Sequence, residues 1–147
     1  MRLFYYLFIT FILISCSNNV ELIFDEDNGG LFLPKGFQSL VVHEGVGQSR
    51  HIAVNENGDI YVKLRLDYGR KGNVALRDKN GDGKADITQR FGDYPNDGRF
   101  ATEMKINEGY LYYSSERVVY RQRLNPKKLV PDSSIEVILT DPFPIRW

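Results

Sequence analysis

The chain has 147 residues, room for one small domain and little more. Hydrophobic residues make up 42% and charged residues 26%, values that exclude an intrinsically disordered chain. The 19 basic and 19 acidic residues cancel, so there is no electrostatic case for a nucleic-acid partner.

The first stretch, "MRLFYYLFITFILISC", opens on Arg2 and runs apolar from Leu3 to Ile14, broken only by Thr10. That run suits the core of a signal peptide and is too short to cross a bilayer, which takes about 20 residues. It ends in Leu13-Ile14-Ser15-Cys16, which resembles the lipobox of bacterial lipoproteins. The resemblance implies a signal peptide over 1–15 and a lipid on Cys16 as the first mature residue. An ordinary secretory signal with a chance cysteine is the other reading. Cys16 is the sole cysteine, so no disulfide can brace the domain. Ser17 follows it, and by resemblance to enteric lipoprotein sorting this implies the outer membrane of a bacterial cell envelope. "SNNVELIFDEDNGG" is rich in Asn, Asp and Gly, so 16–32 reads as lipid anchor and tether.

From Leu33 onward the pattern predicts strands. "SLVVHEG" is an apolar run ended by Gly45. "HIAVNENGDIYVKLRL" holds two β-rich runs around Asn57-Gly58, a strong hairpin signal. "GNVALRD" and "ADITQRFG" follow, and no stretch of the mature chain sustains a helical period. The expected class is all-β.

A repeat becomes visible when the halves are aligned. "IAVNENGDIYV" matches "MKINEGYLYY" with one residue fewer in the turn, setting Val54 against Ile106, Gly58 against Gly109 and Tyr61 against Tyr112. "NVALRD" is set against "VVYRQR", and "ADITQRFG" against "IEVILTDP". Four short strands recurring at about 50 residues are the pattern of a β-propeller blade. This predicts antiparallel four-stranded blades at about 45–93 and 98–142, inside a propeller part spanning 33–147. A plain antiparallel meander is the alternative. Two blades make an incomplete ring with open apolar flanks, since closure takes at least about four. The tail "DPFPIRW" therefore reads as leading on into further blades.

"DKNGDGKADI" packs three carboxylates and two glycines between two predicted strands. Asp78, Asn80 and Asp82 occupy alternate positions as in an EF-hand-like loop, followed by Gly83, the Lys84 carbonyl and Asp86. Calcium prefers such a set of hard oxygens on a sharply turned loop. Gln89 stands where a bidentate Glu would close a tight site, and no helices flank the loop. Asn80-Gly81 and Asp82-Gly83 are also preferred hairpin dipeptides, so a plain turn explains the stretch without an ion. A turn that also binds calcium weakly satisfies both readings.

"LPKGFQSLVV", "RHIAVNENGDIYVKLR", "GNVALRDKNGDGKADITQRFG" and "GYLYYSSERVVYRQRL" together resemble the start of bacterial sorbosone dehydrogenase-like and quinoprotein sugar dehydrogenase-like proteins. The resemblance spans 33 to about 141. It implies a six-bladed propeller in the cell envelope that holds pyrroloquinoline quinone (PQQ) with calcium and oxidises a sugar or aldose-like substrate. In that family the catalytic calcium sits with the cofactor, so an ion at 78–86 would be a separate, structural one. The family's later blades, which carry most of the cofactor surface, do not occur here.

Within that frame His51 begins an inner strand and becomes a candidate base for a hydroxyl proton. A hydrogen-bonded wall histidine is the plainer reading. The Arg50 guanidinium becomes a candidate contact for a cofactor carboxylate. His43 reads as a surface residue, and Tyr61, Tyr68, Tyr110, Tyr112, Tyr113 and Tyr120 as packing residues. No G-x-S-x-G, phosphate loop or Cys/His cluster occurs. Three functions are consistent with this pattern. One is a lipid-anchored sugar dehydrogenase piece. Another is a non-catalytic propeller that binds carbohydrate or protein. The third is a small lipoprotein whose flanks a partner covers.

Overall fold

The computed structural model describes residues 22–65, 71–94 and 103–141. The leader 1–15, Cys16, Tyr68 and the tail "PFPIRW" lie outside the described residues.

The described chain is all-β apart from a 3-10 turn at Asn28–Gly30. The first sheet has the order β1 (Ser49–Val54), β2 (Ile60–Leu64), β3 (Lys71–Arg77) and β4 (Ile87–Asp93), and every neighbouring pair is antiparallel. The second repeats the pattern with β5 (Met104–Asn107), β6 (Tyr110–Ser114), β7 (Val118–Arg123) and β8 (Glu136–Thr140). Each is a consecutive up-and-down sheet like a propeller blade, and β1 lies against β5.

The hairpins form where the sequence allows left-handed backbone. In the first, Gly58 takes φ 88° and its N–H donates to Asn55 O at 2.9 Å. In the second, Glu108 and Gly109 take φ 48° and 77°, the pair of positive values that a two-residue primed turn requires.

Alternation along the strands then sorts the side chains. Tyr61, Ala75 and Phe91 of the first sheet face Met104, Leu111, Tyr113 and Tyr120 of the second. Tyr94 stacks between Tyr113 and Tyr120, with ring centroids 4.9 Å from each. The buried hydroxyls are satisfied, since Tyr61 donates to Leu129 O at 3.0 Å and Tyr113 to Gln122 Oε1 at 2.8 Å. This aromatic layer, each ring burying on the order of 150–250 Å², holds the sheets together.

The opposite face of the first sheet carries Val62, Leu64, Val74 and Leu76. "SLVVHEG" does not form the expected strand. It runs extended across this face, where Val46 packs on the apolar cluster and accepts from Arg90 Nη2 at 2.8 Å. Gln48 O then accepts from Arg65 N at 2.8 Å as the chain turns into β1. A sheet face already occupied by a crossing segment cannot also offer that segment an edge to pair with. The first sheet's flank is therefore largely covered, not open.

The repeat holds, but its outer strands pair differently from the sequence alignment. Tyr61 pairs with Ala75 while Tyr112 pairs with Arg121, so Ala75 corresponds to Arg121 and Val74 to Tyr120. The alignment of "NVALRD" with "VVYRQR" is one residue out. In a strand, a one-residue slip exchanges the two faces.

Candidate functional site

β1 begins with a bulge. Ser49 pairs with Leu64 and His51 with Lys63, so Arg50 is an extra residue in the first strand. Arg50 is exposed and His51 half-buried, on the side of β1 that carries Ala53 toward the second sheet. The two candidates thus sit side by side at one end of the first sheet.

The register also brings together residues that sequence reasoning missed. His51, Lys63, Asn73 and Phe91 form one cross-strand row over β1 to β4. Lys63 is 0% exposed; its ammonium donates to Leu64 O at 3.1 Å and lies 5.2 Å from the Tyr94 ring centroid. Tyr94 donates its hydroxyl to Asn73 Oδ1 at 3.0 Å, while Asn73 Nδ2 is buried without a partner. Gly92, at φ +85°, leaves the space that this amide uses, because a Cβ there would sit 2.8 Å from Asn73 Nδ2. The signal was available: in "IYVKLRL" the lysine falls on the same face as Tyr61. Sealed from solvent, Lys63 can orient the row beneath His51 but cannot itself touch a ligand.

The 78–86 stretch folds as a turn that satisfies its own polar groups. Asp78 Oδ1 accepts from Asn80 N and Gly81 N at 3.1 and 2.6 Å, and Oδ2 from Gly83 N at 2.8 Å. Asn80 Oδ1 accepts from Asp82 N, Asp82 Oδ1 from Lys84 N, and Asp86 Oδ2 from Lys79 N. The Lys84 N–H, and after it the Asn80 amide, hold the Asp82 carboxyl below its ordinary range. The oxygens present suit calcium chemically, and carboxylates have lone pairs beyond those the backbone occupies. Among the described residues, however, no three His, Cys, Asp or Glu are grouped to hold a metal ion.

The turn also grips the segment that crosses the sheet. A Cβ on Gly83 would lie 2.7 Å from Leu40 and 3.0 Å from Leu22, so side chains pack flush on its backbone. Ala85 N donates to Val42 O at 2.9 Å, and Lys84 Nζ pairs with Asp25 at 3.3 Å. His43, exposed as expected, lies 3.2 Å from the Thr88 hydroxyl. A cavity of about 570 Å³ opens here, with Asp25, Asp27, His43, Glu44 and Lys84 in its walls.

The far face of the second sheet carries Tyr110, Tyr112, Arg121 and Arg123, and is aromatic and cationic where an apolar flank was expected. The Arg121 guanidinium sits 4.5 Å from the Tyr110 centroid and donates twice to Glu136 Oε2, at 2.9 and 2.8 Å. Tyr110 and Tyr112 are therefore not core residues, unlike Tyr61, Tyr113 and Tyr120.

No helix among the described residues is long and apolar enough to cross a membrane. Comparison of the chain with protein-family models, with curated proteins and with solved structures finds no match.

Proposed function

We propose that the chain supplies two neighbouring blades of an envelope-anchored, quinoprotein sugar dehydrogenase-like propeller, held by a lipid on Cys16, with Arg50 and His51 at its ligand-facing end. The observation that carries this reading is the bulge of β1, which sets an exposed guanidinium beside a half-buried imidazole at one end of a blade-like sheet. Bulges recur next to active sites because they re-aim side chains.

PQQ carries several carboxylates, and the described residues at this end fit one such contact, through the Arg50 fork. When bound, the quinone would supply the two-electron acceptor for oxidation of a sugar. Arg50 would bind and orient a carboxylate, and a ring nitrogen of His51 would take the substrate hydroxyl proton. The 78–86 turn would hold a structural calcium ion remote from that chemistry.

The test is titration of the full chain with PQQ, with and without calcium, followed by sugar-dependent dye reduction. Saturable binding weakened about tenfold or more by Arg50→Ala is expected, the size of one lost charge-assisted contact. Absence of binding, or an unchanged Arg50→Ala titration, refutes the assignment. Sugar binding without a quinone requirement would favour a non-catalytic carbohydrate-binding propeller. Labelled fatty acid on wild-type protein and none on Cys16→Ala checks the anchor.

A further inference from the structure

The chain ahead of the crossing segment carries apolar side chains that the fold leaves uncovered. Among the described residues, six of the eleven exposed large hydrophobics fall between Leu22 and Phe37. Phe32 is fully exposed, and Leu31 and Phe37 are 58% and 69% exposed. Side chains of this kind belong in a core, so a cluster of them on the outside marks an interaction surface.

The backbone that displays them is fixed. Asp25 N donates to Ser39 O at 3.1 Å, and the Asp25 carboxylate accepts from Val41 N. Asn28 Oδ1 accepts from Ser39 N at 3.2 Å, and Ser39 Oγ donates to Asn28 O at 2.6 Å. These bonds close a neck, and residues 29–38 leave and return through it as an Ω-like loop. Gly29, at φ 62°, lies flush on Val41, where a Cβ would sit 2.8 Å from Cγ2. At the tip Phe37 N donates to Pro34 O at 3.1 Å, with Gly36 at φ 93°. A loop tied at neck and tip does not fold back to hide Leu31, Phe32 and Phe37.

The place of the loop in the chain indicates what meets it. Cys16 stands six residues before Leu22, a span of at most ~20 Å, and the loop tip stands no more than ~17 Å from its neck. Leu22 and Leu40 both pack against Gly83, so tether and loop leave the sheet at one place. A bilayer that holds a lipid on Cys16 is therefore within reach of the loop. Lys35 is the one charge on the loop, Glu26 and Asp27 stand at its neck, and Asp25 is paired with Lys84. Apolar area, and not headgroup charge, drives a contact of that composition.

We propose that loop 29–38 faces the membrane, with Leu31, Phe32 and Phe37 seated in the bilayer interface to a depth of about 5–10 Å. The lipid tethers the chain, and the loop fixes how the first sheet stands on the surface. The inference rests on the envelope anchoring proposed above and not on quinone or sugar chemistry.

Tryptophan reporters test it. The chain has one tryptophan, Trp147. Trp147→Phe with Phe32→Trp puts the one indole on the loop, and Trp147→Phe with Val137→Trp puts it on the exposed β8 strand as a control. The full chain is purified from bacterial membranes and reconstituted in phosphatidylcholine vesicles brominated in the upper acyl chain. Emission from position 32 should be blue-shifted and quenched, and that from position 137 should not. Raised salt and added anionic lipid should change neither. Adding Leu31→Ser and Phe37→Ser should reduce the quenching, since each Phe that leaves the interface weakens partition by about tenfold or more. An aqueous indole at 32, equal quenching at both positions, or quenching lost in salt would overturn the proposal. Labelled fatty acid in the same cells reports Cys16 separately. A labelled chain with an aqueous indole fails the loop and keeps the anchor; an unlabelled chain with a quenched indole keeps the loop and fails the anchor.

Discussion

The ion pair between Asp59 and Arg77 offers the sharpest test of how the first sheet is held. Asp59 is 1% exposed, and Arg77 closes a fork on it with Nε to Oδ1 and Nη2 to Oδ2, both at 2.6 Å. Arg77→Met keeps the aliphatic stem but leaves the buried carboxylate with the Asn57 amide, 2.9 Å away. Breaking a buried pair from one side costs about 3–5 kcal/mol. Arg77 keeps about a quarter of its side chain in solvent, with 27% exposed, so solvent screens the pair and the lower end, about 3 kcal/mol, applies. Against a total stability on the order of 5–15 kcal/mol this is a large fraction.

Urea unfolding reads the effect directly. With a slope of roughly 1.5 kcal/mol/M, the midpoint should fall by about 2 M at unchanged slope. Asp59→Asn/Arg77→Met removes the stranded charge as well as its partner and should recover part of the loss. A cost below about 1 kcal/mol for Arg77→Met would show the pair behaving as a surface bridge. So would a double variant no better than the single one. Either result refutes the argument from burial.

Three further perturbations have a clear sign. Burial first, and the Asp59 charge second, push the Tyr61 hydroxyl from 10.0 up to about 12, so its neutral form stabilises the fold below pH 10 and that contribution fades as pH rises toward 12. Tyr61→Phe should cost about 0.5–1.5 kcal/mol at neutral pH for the bond to Leu129 and should flatten the alkaline fall in melting temperature; an unchanged alkaline limb rejects the assignment. The Val41 N–H, then Lys84, holds Asp25 below its ordinary 3.8, a contribution present above that value and lost as pH falls through the lowered one. Hydrogen exchange over 39–46 should therefore open on acidification in wild type and lose that dependence in Asp25→Asn, and matching profiles would count against it. If the 78–86 turn takes calcium with an affinity of ~10⁻⁴ to 10⁻³ M, tenfold excess over Kd should stabilise the fold by about 1.4 kcal/mol and raise the melting temperature accordingly. Asp82→Ala should abolish the rise, and identical curves with calcium and with chelator leave the turn without an ion.

Hairpin chemistry and strand alternation were legible because they are local. Asn57-Gly58 and Glu108-Gly109 announce their turns, and Tyr61 and Tyr113 announce their faces. The outer strands were not, since their register depends on the loops 78–86 and 124–135 and on a shift between Val119 and Tyr120 that no local pattern encodes. The extended path of "SLVVHEG" was equally hidden. Its composition suits a strand, and only the occupied sheet beneath it decides otherwise. At the candidate site, Arg50 and His51 stood out as residue types. Lys63 and Asn73 did not, because a lysine in an alternating strand reads as a solvent-facing residue until both faces are known to be covered.

Corresponding positions in the two sheets show what each face meets. On the covered face of the first sheet stand Ala53 and Ala75, small enough for the second sheet to press close. At the same places on the second sheet stand Lys105 and Arg121, and Tyr110 replaces Asp59. The repeat keeps its backbone and exchanges small residues for long cationic ones, so the two faces cannot be sealed in the same way. Ala75 lets the second sheet press close, whereas Arg121 stacks over Tyr110 and donates to Glu136 within its own sheet. Tyr112, the counterpart of Tyr61, keeps the aromatic ring, but its hydroxyl meets Arg121 Nη1 at 3.5 Å where Tyr61 donates to the Leu129 carbonyl on the facing sheet's β7–β8 loop.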